Sequence, residues 1–196
     1  MPTCRFLLLF SLVWARLVAL DVFIDPITGF RKIAAIRVSF QPVDTTGTTG
    51  DGTFLLEPDT AFCGKYTIDR PPHDKSYFES QLQAVDSYFR NVSNDTFGID
   101  LDNSTVFPEG STSSYVLQHR MDFYHPYGES DEVYEQKLVE LFRDALFTAD
   151  SVDNIPFSDY DLIVVFHTGI GQDFALPWLD LTPEDIPSTY VDREML

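Results

Sequence analysis

Cysteine is nearly missing from these 196 residues, which contain two. A disulfide framework is therefore excluded within the chain. Cys4 falls in an N-terminal leader, and Cys63 stands alone as a small buried hydrophobe or as the partner of a cysteine outside this sequence. Basic residues are scarce too: 13 Lys and Arg face 31 Asp and Glu, for a net charge of −18. Nucleic acid and anionic membranes are polyanions and repel such a chain, so no nucleic-acid role is expected. The acidity fits solubility, with calcium binding as a second use.

Signature motifs are also lacking. None of the four histidines is followed by glutamate, so H-E-x-x-H does not occur. G-x-x-x-x-G-K-[ST] and G-x-S-x-G are absent as well, which leaves phosphate cradling and a serine elbow unsupported. Gly169-Ile170-Gly171 starts like a dinucleotide fingerprint, but its third glycine position holds Phe174 and no helical period follows. No catalytic residue and no bound organic cofactor can be assigned from motifs.

What is present begins with a targeting segment. Arg5, the apolar run Phe6–Val13 and Leu17-Val18-Ala19 read as a signal peptide over residues 1–20, and so as an exported or periplasmic protein. The apolar run is too short for a membrane span, which needs about 20 residues. Asn91-Val92-Ser93, Asn94-Asp95-Thr96 and Asn103-Ser104-Thr105 are glycosylation sequons, meaningful only in a eukaryotic secretory pathway.

Residues 21–31 read as an N-terminal extension and 32–196 as one α/β (α+β) domain. Lys32 to Phe40 alternates Ile36, Val38 and Phe40 against Arg37 and Ser39, the pattern of a first core strand. Pro42 ends it, and a Gly/Thr/Asp loop follows in which Asp44 and Asp51 are candidate calcium ligands, though at no EF-hand spacing. Asp74 is placed to cap a helix whose Phe78, Leu82, Val85 and Phe89 share one face, widened by Tyr77, Ala84 and Tyr88. Ser130 opens a second helix, to about Ala149, with Tyr134, Leu138, Leu141, Phe142 and Ala145 as its apolar stripe. His119 and His125, six apart, make a poor zinc pair.

Leu162–Phe166 is five apolar residues in a row, which predicts a strand covered on both faces in a central mixed sheet flanked by the two helices. It empties into His167, with Asp173 six residues on. Strand ends of this kind are where ligands bind in α/β sheets. Two roles suit His167: a structural ring that bonds to backbone or to Asp173 and pins the turn, or a metal ligand or acid/base group. His167 and Asp173 are the candidate metal ligands.

The order of these pieces resembles a known family. A "KIAAIRVSFQ" strand is followed by a Gly/Asp loop, an aromatic helix, a Ser93–Gly98 turn and an acidic helix. Then comes Phe157–Asp161 leading to His167-Thr168-Gly169. This ordering resembles the N-terminal half of immune-inhibitor-A-type secreted zinc metallopeptidases and their uncharacterised bacterial relatives, with Thr168 in place of the usual alanine. The resemblance implies a metzincin-like N-terminal subdomain acting on protein or peptide substrates. It also implies a zinc ion on an H-E-x-x-H helix located after the region given, where two histidines would hold the metal and the glutamate would activate water. The chain then reads as truncated and non-catalytic, or as a degenerate relative, and a truncated sheet should leave apolar surface exposed. The alternative from a different class is a secreted acidic binding or adhesion module that uses calcium and carries no chemistry.

Overall fold

A computed structural model describes residues 27–42, 46–57, 70–174, 181–192 and 195. The leader, Asp44 and Cys63 lie outside the described residues. Among the described residues six strands and three helices follow in the order β1 (Gly29–Arg31), β2 (Ile33–Ser39), α1 (Lys75–Ser93), β3 (Phe97–Ile99), β4 (Thr105–Phe107), β5 (Tyr115–Val116), α2 (Met121–Tyr124), α3 (Asp131–Asp153) and β6 (Leu162–His167). The protein is mixed α/β, with two main helices on a sheet as expected.

The sheet differs from expectation in two ways. First, its described pairings are all parallel rather than mixed. Second, β2 and not β6 is its centre. β6 runs along one edge of β2 from Ile33↔Leu162 to Val38↔His167. β4 and β5 share the other edge end to end, at Ala34–Ile36 and Val38–Ser39. Every residue of β2 is buried, including Arg37. β6, by contrast, has an exposed Leu162 and five half-buried residues after it. Both faces of its apolar run are packed, Ile163 and Val165 toward one core and Val164 and Phe166 toward the other, but among the described residues it pairs only with β2 and so lies at an edge rather than at the centre.

The alternation in β2 assigns its side chains to two cores. Ile36, Val38 and Phe40 join Leu138, Leu141, Ala145 and Ala149 of α3, with Ile163 and Val165 of β6 packed alongside. Ile33 and Ala35 face Phe78 and Leu82 of α1, with Val164 and Phe166 on that side. Thus α1 and α3 cover opposite faces of a parallel sheet, the layering that a βαβ chain path produces. Arg37 lies on the α1 side at 0% exposure rather than at a solvated face. Its guanidinium donates to the carbonyls of Pro108 and Gly110 at 2.6 Å and of Ser111 at 2.8 Å, tying down the loop between β4 and β5.

Asp74 caps α1 by accepting from the Tyr77 amide at 3.0 Å. The apolar stripe of α1 is only half used. Phe78 and Leu82 are buried, but Val85, Tyr88 and Phe89 are 43%, 63% and 37% exposed. The next turn docks through polar groups instead: buried Asp86 accepts from the Ile99 amide at 2.7 Å and binds Arg90 Nε at 2.8 Å. α3 starts after Ser130 as expected and runs four residues further, to Asp153. Within the N-terminal extension, residues 29–31 form β1, which pairs with β3. Among the described residues no helix is long and apolar enough to cross a membrane.

Candidate functional site at the strand ends

β2 and β6 end side by side, at Ser39 and His167, and three irregular segments close over them. One is the loop 46–49, another the turn 169–174, and the third the stretch 182–188, which turns where the Asp185 amide donates to the Thr182 carbonyl at 3.1 Å. Gly169 makes the turn possible. Its φ is +88°, and a Cβ there would meet Met121 Cε at 2.7 Å and the Thr49 carbonyl at 3.1 Å.

His167 is half-buried, and its ring centroid lies 6.4 Å from that of Phe40. Nδ1–H donates to the Thr168 carbonyl at 2.8 Å. Loss of solvent holds the imidazole below its ordinary pKa, against smaller opposing effects from the Thr168 carbonyl, Asp185 and Asp173. The neutral ring therefore carries its lone pair on Nε2, the form that accepts a proton or ligates a metal.

The Asp173 carboxylate is committed away from this ring. Oδ2 accepts from the Ser188 amide at 2.6 Å, which keeps the carboxyl below the usual range. A residue that sequence reasoning missed, Asp185, is almost fully buried. Its Oδ1 accepts from the Thr49 amide at 2.6 Å, and its Oδ2 takes the Thr49 hydroxyl. Asp185 sits between two prolines in a stretch without periodicity, and nothing local marks it. Two buried hydroxyls in the same touching segments, Thr48 Oγ1 and Thr168 Oγ1, have no partner among the described residues.

This constellation falls short of a zinc centre. Among the described residues no three His, Cys, Asp or Glu side chains gather where they could hold a metal ion. A catalytic zinc takes three protein ligands, and His167 with Asp173 supplies at most two. Of the calcium candidates, Asp51 uses Oδ1 to accept from the Thr53 amide and hydroxyl at 2.9 and 2.6 Å, closing a local turn. His119 and His125 are each absorbed in aromatic packing: His119 stacks on Phe123 at 3.8 Å and His125 lies 4.8 Å from Tyr134. The three sequon asparagines, Asn91, Asn94 and Asn103, are all exposed.

Comparison with models of protein families, with curated protein sequences and with solved structures yields no match to this chain. The α/β fold is thus assigned on its own geometry.

Proposed function

We propose that residues 1–196 belong to an exported, metallopeptidase-like protein and form its non-catalytic, sheet-bearing portion, with the zinc helix carried elsewhere in the polypeptide. The observation behind this reading is β6. Its apolar residues Ile163–Phe166 are only half-buried, and among the described residues they lie at the edge of a parallel sheet of a kind whose strands are ordinarily covered. A strand of that composition suits the interior of a larger α/β body. It ends at His167-Thr168-Gly169, the segment that carries part of the resemblance, and strand ends are where ligands bind in α/β sheets. The chain's part is then to present a cleft wall to a peptide substrate, and the hydrolytic groups are not among its residues.

The test has two arms. One reads the gene beyond the Leu196 codon for H-E-x-x-H. The other assays residues 21–196 and the longer product on casein, with zinc and with a chelator. An inert short chain and a chelator-sensitive longer one support the proposal. Chelator-sensitive cleavage by the short chain, or a complete reading frame without the motif, sinks it. In the second case, a melting temperature raised by calcium would favour a binding module instead.

A further inference from the structure

We propose that the outer flank of α1 is a self-association surface, on which two copies of this chain pair their α1 helices antiparallel about a two-fold axis. The inference is independent of the peptidase reading, because it rests on one helix and needs no catalytic group.

One side of α1 meets the sheet layer, through Phe78, Leu82 and Asp86. Beside that contact Gln81, Val85, Tyr88 and Val92 follow at four-three-four spacing, which sets them in a single row along the helix. All four are exposed, Tyr88 at 63% and Val92 at 64%. Phe89 continues the apolar surface toward β3, with ring centroids 5.4 Å from Tyr88 and 5.2 Å from Phe97. Rows of this spacing are what a neighbouring helix packs against. Among the described residues nothing covers this one.

Charge selects the occupant. With 13 basic and 31 acidic residues the chain has a net charge of −18, so two copies repel each other from most directions. Between Ser80 and Val92 the charged residues are Asp86 and Arg90, and they are spent on each other. Asp86 is buried, and Arg90 Nε binds it at 2.8 Å while the guanidinium lies over the Phe30 ring. The exposed positions around the row, Gln83, Ala84, Ser87 and Asn91, are uncharged. Two such acidic chains can meet here without setting like charges against each other. A basic partner would be drawn instead to carboxylates elsewhere on the surface. Depletion of charge together with exposed tyrosine and phenylalanine is also the composition of interface centres.

The row is self-complementary. Its four-three-four spacing reads the same in both directions, so an antiparallel copy brings Val85 of one chain against Tyr88 of the other and Gln81 against Val92. Each contact then occurs twice, as a two-fold interface requires. Opposed helix dipoles favour the same sense. A single helix pair lies at the small end of specific interfaces, below about 1,200 Å² in total. The dimer should therefore be reversible, with a Kd on the order of micromolar to millimolar.

Sedimentation equilibrium on the purified chain across that concentration range reads the association. The average mass should climb from 22.3 kDa toward twice that value and level off. Association should tighten severalfold from about 0.05 M to about 0.5 M salt, as screening removes the mutual repulsion. Tyr88→Glu and Val92→Glu replace exposed side chains, so each should keep the melting temperature and weaken the dimer by about tenfold or more. Phe147→Glu, at a position 72% exposed on α3, should leave association unchanged. A chain that stays monomeric throughout in high salt would overturn the proposal. So would a mass that passes the dimer without levelling, a dimer that survives both α1 substitutions, or an equal loss in Phe147→Glu.

Discussion

Asp86 Oδ1 accepts the backbone amide of Ile99 at 2.7 Å, so that a carboxylate in the middle of α1 holds the end of β3. The same carboxylate takes Arg90 Nε at 2.8 Å, and the Arg90 guanidinium lies 4.3 Å above the Phe30 ring of β1. One acidic side chain therefore couples the small β1–β3 sheet to the helix. Asp86→Ala would leave a buried N–H without an acceptor and take from Arg90 its nearer anion, leaving Asp95 at 3.8 Å. A loss of about 2–3 kcal/mol in urea unfolding is expected. Asp86→Asn keeps an acceptor for Ile99 and should cost less; equal costs for the two would show that the amide contact contributes little.

Arg37 is the second polar anchor. Burial draws its guanidinium below its ordinary pKa, although Asp74 and Glu79 counter part of that. Three loop carbonyls depend on it. Arg37→Met fills most of the volume but orphans those acceptors, and about 3 kcal/mol of destabilisation is expected. Arg37→Lys cannot span three carbonyls with one ammonium and should recover only part. Thermal unfolding of the three proteins side by side measures the order.

The two halves of the α1 stripe should behave differently. Leu82 is 5% exposed in a core with Phe78, Ile99 and Val106, and Leu82→Ala should cost about 2–4 kcal/mol. Val85 is 43% exposed, and Val85→Ala should stay within about 0.5 kcal/mol. Comparable losses at both sites would mean that α1 docks through its whole predicted stripe.

Alkaline stability follows from two tyrosines. Tyr115 donates to Asp153 of α3, and Tyr124 donates to Asp144 of α3 at 2.9 Å. Burial first, and then the neighbouring carboxylate, raises both phenols well above their ordinary value near 10. A raised pKa means that the native state keeps a proton the unfolded chain gives up. The stability they confer is complete below pH 10 and is lost as pH climbs beyond it. In a phenolate titration at about 295 nm, two of the nine tyrosines should ionise late and together with loss of helical circular dichroism. Titration of all nine near pH 10 without unfolding would contradict this pairing.

Local order was legible where one side chain or one period carries the information. The α1 cap at Asp74, the start of α3 after Ser130, its stripe through Leu138, Leu141 and Ala145, and β2 with its two alternating faces could all be read along the chain. The reason is that capping and amphipathic periodicity act over a few residues. Other features could not be read this way. An apolar run has the same composition in a central strand as at an edge, so the exchange of places between β2 and β6 needed strand pairing to appear. Alternation places Arg37 opposite Ile36 and Val38 but does not say that its face is covered, because the helix that covers it comes some forty residues later. Asp86 and Asp185 resemble any surface acid until Ile99 and Thr49 arrive from distant sequence.

The sequence by itself determined the four longest elements, the α/β class and the acidic, cysteine-poor character of the chain, since these depend on residue type and short spacing. Tertiary structure alone decided which strand lies at the centre, which charges are buried, and that Asp185 meets Thr49 and Asp173 meets Ser188. Burial and long-range hydrogen bonds exist only between parts of the chain that folding brings together, and no local pattern encodes them.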